Sequence, residues 1–198
     1  MTNIELAEFC RKTLNVPTKY MWGTYGRVIT KSILDAKVKQ YPNRYSATRQ
    51  ALLKKVINGV TRGCDCAGLI KWAMWSQGDI NKNPPYSSKT DRNCSGLYRD
   101  AKEKGPIAVM PEQEGLIVYK DGHVGVYVGK GEVVECTLGS RGDGCVKTKL
   151  EEAGWTHWLR VPEIEYIAPQ VGTPKKQTYA SKSKILEKLS LIKRRIQE

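Results

Sequence analysis

Two short segments of the chain carry residues that could form a cysteine nucleophile and its base. In the first, GCDCAGLIKW, Cys66 stands at the first turn of a helix predicted over residues 66–77, with Asp65 as its N-cap. The unpaired backbone N–H groups and the positive dipole of a helix N-terminus favour thiolate over thiol. Ala67 and Gly68 are small enough to let another backbone or a substrate approach. The alternative is a buried structural cysteine, which is common in proteins.

The second segment, KDGHVGVYVGKGEVVECTL, supplies a candidate base and a residue that could orient it. His123 opens a predicted strand, whereas the chain's other histidine, His157, lies between two tryptophans and is interpreted as a packing residue. A thiolate nucleophile needs a base, and the base needs an acceptor on its other ring nitrogen. Strand alternation places Glu135 on the face of His123 only if the hairpin loop between them has an odd number of residues. The pair therefore predicts a three-residue loop or a bulge; otherwise Glu135 is an ordinary solvent-facing glutamate.

Helical periodicity dominates the first part of the chain, and strand alternation dominates the second. Besides 66–77, helices are predicted over 3–14, 29–39 and 46–58, and loops over 17–27 and 79–96. Five strands are predicted at 115–120, 123–129, 132–138, 145–150 and 156–161, with Arg141-Gly-Asp143 in a hairpin turn. Helices followed by an antiparallel sheet of about five strands indicate an α+β domain, which we place at residues 1–168.

Charge and composition limit the function classes. The 198 residues include 33 Lys and Arg against 20 Asp and Glu, a net charge of +13, and 40% of them are hydrophobic. This apolar content excludes wholesale disorder, and the lack of an apolar run of about 18–20 residues excludes an integral membrane protein. The start, MTNIELAEFC, has none of the marks of a secretory signal, so we expect synthesis in the cytoplasm without a signal peptide. Basic proteins bind polyanions, but charge alone does not choose among nucleic acid, anionic membranes and cell walls.

The six cysteines are expected to be free thiols, because their density is below that of a disulfide scaffold and no export signal precedes them. Cys64-Asp-Cys66 lacks the two-residue spacer of zinc ribbons, and no second Cys or His pair lies nearby, so neither a metal nor a cofactor is expected. Redox pairing of Cys66 with Cys64 or Cys94 is an alternative with less support, since a Cys-x-Cys ring is strained.

The composition changes after about residue 168. Residues 169–198 are predicted to be a basic linker followed by an amphipathic helix, with apolar residues at heptad-like spacing from Ile185 to Ile196. Fewer than two heptads are too short for a stable independent helix. Three roles stay open for it: docking on its own domain, self-association through residues 180–198 or as the start of a longer stalk, and binding to an anionic membrane or wall.

Several of these segments together resemble a known family. DCAGLI, GHVGVYVG and VVEC, in this order, resemble the motifs of the NlpC-type cell-wall cysteine peptidases, a papain-like group. YMWGTYG resembles that family's aromatic-Trp-Gly segment, and MPEQEGLIVY resembles the turn that enters its sheet. The resemblance spans roughly residues 20–166. It extends to the catalytic domains of phage endolysins, which carry this fold without a signal peptide.

The resemblance implies a papain-like fold, with the nucleophile at a helix N-terminus packed on the antiparallel sheet. It also implies roles for individual residues. Cys66 is then the nucleophile, His123 is the general base and afterwards the general acid, and Glu135 orients the imidazole. The Cys66 backbone N–H and the Tyr20 hydroxyl become candidates for stabilising an oxyanion, and Trp22 becomes a candidate substrate contact.

Two neighbours of the nucleophile bear on the substrate. Asp65 matches an acid that, in the family, can hold the free amine of a stem peptide, and this role is compatible with capping the helix. Ala67 departs from the family, which usually has Ser at this position. Where that Ser helps to bind a peptide amine, Ala67 cannot, which argues against specificity for a γ-D-glutamyl-diamino-acid bond.

The resulting hypothesis is an endolysin-like peptidoglycan hydrolase that forms a thioester at Cys66. It would cut an amide bond as an endopeptidase or as an N-acetylmuramoyl-L-alanine amidase, on the cell wall and after release from the host cytoplasm. Peptidoglycan and anionic wall polymer are the expected partners, and nucleic acid is not. Two alternatives remain: a non-catalytic basic binding module on the same fold, and an acyl transferase that passes the thioester to an amine or a lipid.

Overall fold

The computed structural model describes residues 1–168, and the basic linker and tail helix predicted at 169–198 lie outside the described residues. Within them the chain forms five α-helices: α1 Asn3–Thr13, α2 Lys31–Gln40, α3 Ala47–Lys55, α4 Cys66–Trp75 and α5 Cys94–Arg99. It also forms nine strands: β1 Thr18–Tyr20, β2 Tyr25–Val28, β3 Arg62–Cys64, β4 Glu103–Pro106, β5 Ile117–Lys120, β6 His123–Tyr127, β7 Glu132–Gly139, β8 Gly142–Lys149 and β9 His157–Arg160. None of the helices in this part of the chain has the length and apolar character that crossing a membrane requires. The predicted α+β class is confirmed.

Six strands form an antiparallel sheet in the order β4-β9-β5-β6-β7-β8. The five strands predicted from alternation all belong to it, and β4 is a sixth that the sequence does not predict. Its four residues, Glu-Lys-Gly-Pro, have low strand propensity. They pair only with β9, at the edge of the sheet, where a proline is tolerated.

The segment 17–27, predicted as a loop, contains β1 and β2, so that prediction is wrong. These strands flank β3 in a small sheet, β1 in parallel and β2 antiparallel to it. Their glycine- and aromatic-rich sequence shows no alternation, and they form because the tertiary fold brings β3 between them. The loop predicted over 79–96 is also wrong at its end, where α5 begins and the Asn93 side chain accepts the Gly96 N–H at 2.8 Å. Because β3 leads directly into α4, the small sheet holds the strand from which Cys66 emerges.

Helix α4 is the buried centre of the described residues. Leu69, Ile70 and Trp72 are fully enclosed, as expected of a helix that is apolar on all sides. It packs against α1 and against the face of the large sheet that carries Val124. Burial of each such large side chain stabilises the fold by about 1.5–3 kcal/mol. This packing fixes the first residue of α4, Cys66, against the start of β6.

The hairpin between β6 and β7 has the three-residue loop that the candidate pair requires. The Val128 N–H donates to the carbonyl of residue 132 at 2.9 Å, which leaves residues 129–131 as the loop. All three have positive φ, which the two glycines adopt without strain. Gly125 consequently pairs with Glu135. Since residues 123 and 125 share a face, His123 and Glu135 lie on the same side of the sheet, and the prediction of an odd loop is confirmed.

Gly68 marks the closest approach between α4 and the small sheet. A Cβ at this position would lie 2.0 Å from the carbonyl oxygen of Thr24, so the backbone would have to shift. We expect Gly68→Ala to lower the free energy of unfolding by about 1–3 kcal/mol, measured by urea denaturation. Gly96→Ala is the matched control, because Gly96 is also the third residue of a capped helix and its nearest neighbours are side-chain atoms at 3.2 Å or beyond. An equal loss in both variants would contradict the prediction.

Candidate active site

Three groups favour the thiolate form of Cys66. The Sγ atom of Cys94 lies 3.3 Å away, within hydrogen-bond distance, and the ring of His123 and the backbone N–H of Val124 stabilise the negative charge as well. The Cys94 bond contributes most, and together the three donors outweigh the burial of a side chain that is only 4% exposed. They lower the pKa of Cys66 to about 4, so the sulfur is a thiolate at neutral pH.

His123, the first residue of β6, bridges Cys66 and Glu135. Its Nε2 lies 2.5 Å from Oε2 of Glu135, which leaves the other ring nitrogen for the thiolate. The ring stacks on Trp155 with 5.4 Å between centroids and 9° between planes, and this contact fixes its orientation. Burial opposes the charged ring, but the hydrogen bonds to Cys66 and Glu135 raise the pKa of His123 to about 9. His157, by contrast, packs against two tyrosine rings, as expected of a packing residue.

Glu135 is a fully buried carboxylate, so the alternative of a solvent-facing glutamate is wrong. Its Oε1 accepts from Arg141 Nε at 3.1 Å and Thr148 Oγ1 at 2.9 Å, and Oε2 accepts from Arg141 Nη2 at 3.2 Å. Burial raises its pKa, but the bonds from His123, Arg141 and Thr148 together bring the pKa to about 2. The sequence does not predict Arg141 or Thr148 as partners. Only the register of β7 on β8, with Glu135 opposite Val146, would have identified Thr148.

Asp65 is bound to two backbone N–H groups. Its Oδ1 accepts from Gly68 at 2.6 Å, which caps α4, and its Oδ2 accepts from Gly23 at 2.8 Å, which holds the β1–β2 loop against the helix. Burial, and then the neighbouring Cys66, raise the pKa of Asp65 to about 6. Asp65 also lines the larger of two cavities beside Cys66. Its capping role is therefore seen in the structure, while a contact with a substrate amine stays a prediction.

Two cavities open at the Cys66–His123 pair, one lined by Cys66 and the other by His123. The larger, about 680 Å³, is lined by Cys66 and Ala67 among others. The smaller, about 370 Å³, is lined by His123 and Tyr20, and Trp22 lines both. Burial, and then the charge of Cys66, raise the pKa of Tyr20 well above its usual value, so its hydroxyl stays a donor. The Cys66 N–H, as the first of α4, has no acceptor within the helix, so both predicted oxyanion donors are chemically competent.

The larger cavity also carries several charged side chains. Of its four basic residues, three are already paired with carboxylates. Lys37 is the exception: its Nζ donates to the amide oxygen of Gln40 at 2.8 Å, and it forms no ion pair with a carboxylate of residues 1–168. Tyr25, Tyr41 and Tyr86 line the same cavity. Three aromatic rings beside one cation without a carboxylate partner suit a peptide that carries a carboxylate.

A second group of thiols lies in the core and not at either cavity. Sγ of Cys64 is 3.1 Å from Sγ of Cys136 and 3.7 Å from Sγ of Cys145, and the three atoms fall within 4.8 Å of one another. Three thiols suit a soft cation, whereas a closed structural zinc site takes four protein ligands. All six cysteines are free thiols. This trio joins β3, which precedes Cys66, to the strand that carries Glu135.

No family model matches the chain, and no curated protein matches it. Among solved structures, it is similar to the peptidoglycan hydrolase RipB of Mycobacterium tuberculosis, at 21% identity over 83% of this chain and 67% of that one. It is also similar to the P60 domain of antigen MAP1204 from M. avium subspecies paratuberculosis, at 19% identity over 83% of this chain and 98% of that one. A third similar structure is NlpC2 from Trichomonas vaginalis, at 14% identity over 81% of this chain and 46% of that one. The TM-score is 0.44 in each case. The roles proposed below rest on this chain's own side chains.

The charge of His123 can be read directly, because the chain has only two histidines. In an NMR titration of the ring protons, with signals assigned by His157→Gln, we expect His123 to titrate near pH 9. In Glu135→Gln the carboxylate is lost, so the pKa of His123 should fall by at least about one unit. Because the ring is protonated only below its pKa, the thiolate–imidazolium pair of the variant would be lost at a lower pH than that of the wild type.

Glu132→Gln is the matched control for this titration. Glu132 lies on the same strand but pairs with exposed lysines instead of His123. Its substitution should leave the His123 titration unchanged. Titration of the wild-type ring near its ordinary value of about 6.5 would contradict the ion pair.

Proposed function

We propose that the protein is a cysteine hydrolase that cuts an amide bond in bacterial peptidoglycan. The observation that carries the proposal is the order Cys66–His123–Glu135, in which His123 favours the Cys66 thiolate and is bound to Glu135, with one cavity lined by Cys66 and another by His123. This order supplies a nucleophile, a base and an orienting acceptor. The wall substrate is supported by the motif resemblance and by a net charge of +13, which suits an anionic polymer.

The first half of the reaction forms a thioester. The Cys66 thiolate attacks the carbonyl carbon, and the negative charge that develops on the carbonyl oxygen is met by the Cys66 N–H and the Tyr20 hydroxyl. The protonated His123 then gives its proton to the leaving nitrogen, and the C–N bond breaks. Glu135 keeps the ring oriented and favours its charged form, so that a proton is available at neutral pH.

The second half releases the acyl group to water. His123, now neutral, takes a proton from a water molecule, whose oxygen attacks the thioester carbonyl. The C–S bond breaks, the carboxylic acid leaves, and Cys66 returns as a thiolate beside a protonated His123. Because Arg141 pairs with Glu135 and Thr148 donates to it throughout, the carboxylate does not need to take up a proton at any step.

The larger cavity indicates which part of the wall binds there. Its tyrosines and Lys37 suit a stem peptide, which carries carboxylates, better than an uncharged sugar. Ala67 lines this cavity and offers no hydroxyl for a peptide amine. We therefore place the cut in the stem peptide away from a γ-D-glutamyl-diamino-acid bond, as an endopeptidase or as an N-acetylmuramoyl-L-alanine amidase.

The same chemistry suits an endolysin that is made in a host cytoplasm and acts on the wall after release. Six free thiols, including the proposed nucleophile, are compatible with synthesis in a reducing compartment. A thiolate that stays ionised far below neutral pH would remain reactive in the varied environment of a cell wall.

The proposal is tested by digesting purified peptidoglycan with wild-type protein and with Cys66→Ala, and reading the released ends by mass spectrometry. Wild type should release fragments whose new termini name the bond, and Cys66→Ala should lower the rate by about a thousandfold or more. Cys145→Ala is the control, because Cys145 lines neither the cavity that contains Cys66 nor the one that contains His123. It should keep most of the activity.

Two other outcomes would overturn the hydrolase. Wall binding that Cys66→Ala does not change, with no release by wild type from walls of several stem chemistries, would favour a basic binding module. Faster transfer to added amines than to water would favour an acyl transferase that uses the same Cys66 and His123.

We also propose that the basic segment after residue 168 helps to hold anionic wall polymer. Residues 171–198 contain eight Lys and Arg against two Glu. Deleting them should weaken sedimentation of the protein with walls at low salt, and the difference should shrink as salt screens the charges. Light scattering of the same pair tests self-association, which an unchanged mass per particle would exclude.

A further inference from the structure

Cys94 is the one thiol that lies beside the proposed nucleophile. It is the first residue of α5, its Sγ is 3.3 Å from that of Cys66, and both side chains line the larger cavity. Its position is fixed by contacts of the two residues that precede it. Asn93 caps the helix through the Gly96 N–H at 2.8 Å, and Arg92 is paired with Asp100 and Glu163. The two sulfurs need to approach by only about an ångström to reach bonding distance.

The other four cysteines are placed differently. Cys64, Cys136 and Cys145 contact one another in the core, and Cys10 is fully buried. None of the four lines the cavity that contains Cys66. A small solute that enters this cavity therefore meets two thiols of the six, and those two are neighbours.

We propose that Cys66 and Cys94 form a modification site for low-molecular-weight disulfides such as oxidised glutathione, with Cys94 as the resolving thiol. The end product is a disulfide between the two residues. Its consequence for catalysis rests on the function proposed above, since the same sulfur would be the nucleophile.

The reaction balances in two exchanges. The Cys66 thiolate attacks one sulfur of the disulfide RSSR, forming a mixed disulfide and releasing RS⁻. The Cys94 thiol gives its proton to the released RS⁻, and its sulfur attacks Sγ of Cys66 and expels the second RS⁻, which takes a proton from solvent. Two cysteine thiols are oxidised, and one RSSR is reduced to two RSH.

The order of these steps follows from the electrostatics of the pair. While Cys66 is a thiolate, its hydrogen bond with Cys94, then burial, and then its charge raise the pKa of Cys94, so Cys94 stays protonated. Once Cys66 is in a mixed disulfide, its charge and that hydrogen bond are gone. The pKa of Cys94 then falls toward its ordinary range, and the resolving attack becomes possible.

The test is to incubate the full chain with oxidised glutathione and measure its mass before and after addition of a reductant. Wild type should become about 2 Da lighter, without a stable adduct. Cleavage before aspartate separates Cys64 from Cys66, and a non-reduced digest should contain residues 65–78 linked to residues 91–99. Cys94→Ser should instead keep one glutathione on Cys66 and become about 305 Da heavier.

Cys64→Ser serves as the control and should keep the Cys66–Cys94 link. A stable glutathione adduct on wild-type Cys66, or a link between other cysteines, would overturn the proposal. A wild-type protein that stays unmodified would overturn it too, and these results on the wild type do not depend on how a variant folds.

Wall digestion by the same samples separates the two proposals. If the link forms but the reduced protein never digests walls, the hydrolase fails and the modification site stands; if both hold, activity should fall with the linked fraction and return on reduction.

Discussion

A carboxylate with no access to solvent must be satisfied by its neighbours, and the arrangement around Glu135 follows from that requirement. Its donors come from the start of β6, from the β7–β8 turn and from β8. Leaving such a group without its partners costs several kcal/mol. The register of three strands and the orientation of one imidazole are thus determined together, because a change in either would leave the buried charge without its partners.

Asp65 plays the corresponding part on the helical side. It joins the first turn of α4 to the β1–β2 loop, so the residue that caps the helix also places Trp22 beside the cavities. The sulfur of Cys66 comes from this helical half and the ring of His123 from the sheet. Each half is fixed by a buried acid, and their meeting point is a thiolate with donors from both.

Much of this arrangement could be predicted from the sequence. Periodicity predicts four helices and five strands, since the alternating pattern of each predicted strand extends over six or seven residues. The parity of the hairpin loop follows from the need to place Glu135 beside His123, and the three-residue loop agrees with it. These predictions depend on local spacing, which one chain displays directly.

The parts that could not be predicted depend on contacts distant in sequence. β1, β2 and β4 lie in segments without alternation, and each forms by pairing with a strand far along the chain. Arg141 lies in a turn of ordinary composition, and nothing local indicates that it reaches a buried acid. Cys94 follows a turn-rich segment, and its distance from Cys66 results from how α5 is placed against α4.

The two cavities beside the reactive pair have a consequence for how a polymer is engaged. One lies on the Cys66 side and the other on the His123 side, with Trp22 common to both. A polymer that occupied both cavities would extend past the reactive pair in two directions. Under the function proposed above, the protein would then cut within a cross-linked polymer without needing a free chain end, so each cut would open the network and not shorten its ends.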